Sequence, residues 1–117
     1  MPARLKVLTS DQLATAAAAA DTKALVKHYL AVLEERAPGR SVEVRVPPYA
    51  AVQAVPGVRH TRGTPPAVIE TDAETWLSVA TGRTTWAEAL ASGKVSASGE
   101  RTDLSAYLPL GDPQDPS

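Results

Sequence analysis

The chain has 117 residues and a net charge of −1, which is enough for one domain with a single modest core and gives non-specific nucleic-acid binding no overall electrostatic drive. With no Cys and two His, disulfides and thiol nucleophiles are excluded and a structural zinc site is disfavoured. Hydrophobic residues make up 44%, but much of that is alanine and Phe is absent, so the core either draws backbones close together or leaves space for something else to fill.

The first eight residues, Met1 to Leu8, include Arg4 and Lys6 and no apolar run long enough for a signal peptide. Ala16 to Ala20 is too short and too weakly apolar to span a bilayer. These readings predict a cytoplasmic protein with no transmembrane segment.

Asp11 to Arg36 reads as helix. Leu25, Tyr29 and Leu33 recur every fourth residue, Val26, Leu30 and Val32 widen the stripe, and Lys23, Lys27, Glu34 and Glu35 lie mostly opposite. Asp21 could cap a second helix, so one bent helix and two consecutive ones both fit. Ala37-Pro38-Gly39 ends the element, because the residue before a proline is pushed out of the helical region. His28 reads as a surface residue on the polar edge.

From Ser41 to Val46 the pattern alternates, with Val42, Val44 and Val46 on one face and Glu43 and Arg45 on the other, a strand with one wet side. Pro47-Pro48 interrupts pairing, and Tyr49 to Val55 forms a second strand. Pro56-Gly57 is a turn signal, so Val58 to Arg62 is expected to run back antiparallel. Ala67 to Glu70 is a short strand entering two helices. Thr71-Asp72-Ala73-Glu74 and Thr85-Trp86-Ala87-Glu88 each fit the capping box, in which the first side chain accepts from a backbone N–H and the fourth reaches back. Gly82 and Gly93 stand where helix ends favour glycine. A strand at Lys94 to Ser98 follows, then a helical turn or two over Thr102 to Leu108, and Gly111 to Ser117 reads as a disordered tail. The sum is a single α+β domain over residues 1–110: a mostly antiparallel sheet of four or five strands with helices on one face.

This order resembles the sterol carrier protein 2 fold, in which an acidic residue opens a Trp-containing helix, a short second helix follows, and a Gly-Lys-hydrophobic strand precedes a closing helix. Here those features match Asp72 and Trp76, then Gly82, Ala89 and Leu90, then Gly93-Lys94-Val95 with Gly99, then Leu104 to Leu108. The runs Ala37 to Pro48, Arg59 to Pro66 and Lys94 to Glu100 are similar to those of a small actinobacterial group of sterol carrier family proteins. The resemblance covers about residues 25 to 110. It implies binding rather than catalysis: a fatty acid, acyl-CoA or sterol-like ligand held between sheet and helices, or a non-catalytic module of a larger enzyme. For the carrier, no metal or cofactor is expected.

An apolar ligand needs an apolar concavity and a polar group at its mouth, with about 25 cal/mol gained per Å² of buried ligand surface. The expected lining comprises the inward strand residues Val42, Val44, Val46, Val52 and Ile69. Trp76, Val79, Trp86 and Leu90, with Leu104 and Leu108, would close it. In the plainer reading the same side chains simply form the core. Arg59-His60-Thr61-Arg62 offers two guanidiniums and an imidazole that could hold a carboxylate or phosphate; the plainer reading is a solvated hairpin. Period two puts Arg59 and His60 on opposite faces, so the three charges cannot all meet one ligand unless the strand ends or bulges. Ser96 and Ser98 have no nearby His and no nucleophile-elbow motif, so no catalytic residue is assigned. The competing function is an interaction module whose cavity has closed and whose basic hairpin or apolar face docks a protein partner.

Overall fold

Alternation sets the first strand. In the computed structural model, which describes residues 5–57, 67–99 and 102–111, β1 is Val42–Val46, with its three valines fully buried. Tyr49 N–H donates to Val46 O at 2.9 Å across the turn, and β2, Ala50–Ala54, returns antiparallel with Val44 opposite Val52. Then β3, Ala67–Thr71, lies parallel to β1 on its other side, with Val44 opposite Ile69, and β4, Val95–Ser98, pairs antiparallel with β3. The sheet has four strands in the order β2-β1-β3-β4. It is therefore mixed rather than purely antiparallel. β2 ends beside the start of β1, with Ala54 opposite Val42. β3 begins at that same end, with Ala67 opposite Val42 and Ala67 N–H donating to Ser41 O at 3.0 Å, so it runs parallel to β1. The return strand expected at Val58 to Arg62 lies outside the described residues.

One face of the sheet is wet, carrying Glu43, Arg45, Gln53, Glu70, Ser96 and Ser98. Arg45 lies over Glu43 there, two positions along the same strand face, at 2.7 Å. The other face is covered by helices. Where one bent helix or two were open, there are two: α1, Ser10–Ala18, and α2, Thr22–Arg36, the latter capped by Asp21 Oδ1 accepting from Ala24 N–H at 3.1 Å. The inner stripe of α2 places Tyr29, Leu30 and Leu33 in one cluster with Val44, Val46 and Ile69. His28, expected on the surface, is buried. Its Nδ1 accepts from Leu8 N–H at 2.9 Å and its ring meets Tyr29 edge-on, because the segment before α1 folds over that side.

Two helices connect β3 to β4: α3, Ala73–Ala80, and α4, Trp86–Ala91. The capping box at Thr85 forms as expected, with Thr85 Oγ1 accepting from Glu88 N–H at 3.1 Å and Glu88 Oε1 from Thr85 N–H at 2.9 Å. The one expected at Thr71 does not. Thr71 is the inward-facing last residue of β3 and its hydroxyl donates to Lys94 O at 2.9 Å, so the cap moves to Asp72, which accepts from Thr75 N–H at 2.7 Å. The closing helix expected over Thr102 to Leu108 is a single turn, with Tyr107 N–H donating to Leu104 O at 2.9 Å. Pro109 cannot donate the next backbone bond.

Residues 102–111 form an irregular strap. Leu104 and Leu110 are buried at its two ends, while Ser105, Ala106 and Pro109 are exposed between them. Two N–H groups, of Leu110 and Gly111, converge on Ala80 O at 2.7 and 2.9 Å and tie the strap to the end of α3. From the other side Arg36, the last residue of α2, donates Nη1 to Pro109 O at 2.8 Å and to Tyr107 O at 3.4 Å, and Nη2 to Leu110 O at 3.4 Å. A cation at a helix C-terminus is also favoured by the helix dipole.

Candidate functional site

Among the described residues, the side chains between sheet and helices pack on one another. Val44, Val46, Ile69, Trp76 and Leu104 are fully buried in one cluster with Tyr29, Leu30 and Leu33 of α2, and Val52 and Val79 join it. Most of the side chains expected to line a ligand site therefore pack on one another. Trp76 fills the centre of this core; its indole N–H is buried with no acceptor among the described residues.

An open cavity of about 330 Å³ does exist, on the outer side of this core. Val79 of α3 forms its floor, with the α3–α4 connection contributing Gly82 and Thr84. Trp86, at the start of α4, also lines it, and the strap contributes Ser105, Leu108 and Pro109. Gly82 ends the α3 turn at φ +82°, a conformation that glycine adopts without a Cβ clash. Trp86 is held by the capped helix start and is buried, with its indole N–H also lacking an acceptor among the described residues.

The lining is chiefly apolar, with hydroxyls of Thr84, Thr85 and Ser105 at its edge and no charged side chain among the described residues that form it. Two carboxylates close in sequence to its lining residues, Glu88 and Asp103, accept backbone hydrogen bonds from Thr85 and Ser105. Glu88 is held below the usual carboxylate range by hydrogen bonds from Thr85, backbone first and side chain second. Asp103 is lowered by hydrogen bonds from Ser105, side chain first and backbone second. Two further hollows of similar volume mix polar and apolar lining and include charged side chains. One lies between α3 and α4 with Glu74, Ser78, Glu88 and Lys94, and the other holds Glu70, Asp72 and Lys94 beside Gly93.

Of the residues singled out from sequence, Val79, Trp86 and Leu108 meet at the cavity. Leu90 points away from it and is 40% exposed, because the short α4 turns Trp86 and Ala89 inward. Arg59, His60 and Arg62 lie outside the described residues. Gly82, Thr84 and the strap residues Ser105 and Pro109 were missed as a group. Gly82 carried a legible signal as a helix terminator, but its role in a cavity depends on the strap. No helix among the described residues is long and apolar enough to cross a membrane.

Comparison with known families gives a match over residues 18–110 to a family model described as "Bacterial SCP ortholog". No curated protein matches the chain. The matched region runs from the end of α1 to the strap, so it takes in every element that builds the cavity.

Proposed function

The chain belongs to the bacterial sterol carrier protein family, and from that premise we propose that it is a non-catalytic carrier of a small apolar molecule, held in the cavity beside Trp86. The observation carrying this reading is that an apolar hollow bounded by a tryptophan, a leucine and a proline stays open although the adjoining core is closely packed. The volume, about 330 Å³, is at the small end of ligand pockets. At about 30 Å³ per water-sized group it has room for about ten such groups. That favours a single short acyl or alkyl chain over a sterol skeleton. The hydroxyls at the edge suit an uncharged or hydrogen-bonding head.

The filled space between sheet and helices favours a second reading. A family member whose interior is closed by Trp76 is suited to act as an interaction module. Native mass spectrometry and organic extraction of protein purified from its own host separate the two. The carrier reading expects a co-purifying apolar molecule of a few hundred daltons at most. A clean apo mass, with no uptake of added decanol or decanoate, favours the module.

A further inference from the structure

Arg36 reaches across 71 to 74 residues of chain to place one guanidinium on the carbonyls of Tyr107, Pro109 and Leu110. Those carbonyls belong to the same stretch that supplies Leu108 and Pro109 to the lining of the cavity. The strap's other ties are the buried pegs Leu104 and Leu110, the bonds from Leu110 and Gly111 to Ala80 O, and the packing of Tyr107 and Leu108 on the core. Between the pegs, Ser105 and Ala106 are exposed and Tyr107 and Leu108 only half-buried. Within this span, the only described side-chain bonds from outside the strap are those of Arg36. The planar fork suits this task, since it can meet several carbonyls at once where an ammonium meets one at a time.

We infer that Arg36 is the positioning residue of the strap that lines the cavity, and that release of its bonds widens the opening through which a ligand enters and leaves. The inference rests on the ligand reading above. Swinging the span between Leu104 and Leu110 outward widens the cavity at the cost of the packing of Tyr107 and Leu108, and leaves the sheet and Trp76 in place. Exchange of ligand is therefore set by a surface contact, remote from the apolar groups that give affinity.

The test uses the whole protein with N-phenyl-1-naphthylamine, an uncharged apolar fluorophore, as the probe. Its release from wild type, Arg36→Ala and Arg36→Lys is followed by stopped-flow displacement, and amide hydrogen exchange is measured over residues 104–111. Arg36→Ala is expected to release the probe about fivefold to tenfold faster, the change associated with losing one charge-assisted hydrogen bond. Faster exchange should be confined to the strap, and Arg36→Lys should fall between. Lys also keeps the cation at the end of α2, so it stands in if Arg36→Ala does not fold. A merely structural role would lower the unfolding midpoint and leave release unchanged; that result overturns the inference, as does faster exchange with unaltered release. If wild type takes up no probe, the ligand reading fails and this one falls with it. Uptake by wild type with identical release from both variants overturns the positioning role alone.

Discussion

Gly39 and Val55 pack backbone to backbone: a Cβ added to Gly39 would stand 2.2 Å from Val55 O. The contact joins the end of α2 to the end of β2, and two bonds frame it, Val55 N–H to Ala37 O at 2.6 Å and Ser41 N–H to Val55 O at 3.2 Å. Neither partner has a flexible side chain that could yield. Gly39→Ala is therefore expected to cost about 2 to 3 kcal/mol, in the range of overpacked sites. Gly93 supplies the control. Its φ of +77° strains any other residue, but nothing lies within 4 Å of an added Cβ, so Gly93→Ala should cost only about 1 kcal/mol. Urea unfolding of the two variants checks the order; equal losses would mean the backbone contact carries no weight.

Glu88 and Glu74 both stand three residues after a threonine, yet only Glu88 completes a capping box. Its folded pKa is lowered, so the unfolded chain binds a proton more readily. The stability it contributes is fully present above the ordinary glutamate value of about 4.3 and is lost as pH falls through the folded pKa. Asp103 acts in the same direction. Glu88→Gln should therefore flatten the acid side of the stability profile, measured by urea midpoints between neutral pH and about pH 3, where carboxylates protonate. An acid limb left unchanged by Glu88→Gln would contradict this role.

Trp76 and Leu90 were equivalent as candidate wall residues and are opposite in environment, the first fully buried and the second 40% exposed. Trp76→Ala should cost about 3 to 5 kcal/mol, as large-to-small changes in cores do. Leu90→Ala should stay within about 0.5 kcal/mol, as surface changes do. Chemical denaturation measures both. A large loss from Leu90→Ala would show that α4 buries a different face.

Leu108 is half-buried on the strap and lines the same cavity as Trp86. Leu108→Ala should lower stability by about 1 kcal/mol, roughly the value of the apolar surface it covers. It should weaken uptake of decanol by a larger factor than it changes the unfolding midpoint. Isothermal titration beside a urea curve compares the two; an unaltered affinity would remove Leu108 from the site.

The strands and the end of the long helix were readable because local rules decide them. Valine alternation placed β1, and Ala37-Pro38 ended α2 where the following proline forbids helix. Thr71 misled because two local signals overlap. It fits a capping box, but it also continues the inward set Ala67, Ile69, Thr71, and strand burial prevails, leaving Asp72 to cap. The parallel pairing of β1 with β3 was not legible, since nothing local encodes the path between residues 55 and 66. The strap was lost for a related reason. Leu104, Tyr107 and Leu108 have helical spacing, but Leu104 and Leu110 are the buried pegs, and the Arg36 contacts reach across most of the chain.

The claim that the apolar hollow beside Trp86 takes up ligand is tested most directly by the two indole N–H signals of the ¹⁵N-labelled protein, assigned with Trp76→Phe. On titration with 1-decanol the account expects the Trp86 signal to move saturably while that of Trp76 stays in place. No movement of either up to the solubility limit, or an equal response from Trp76, would contradict it.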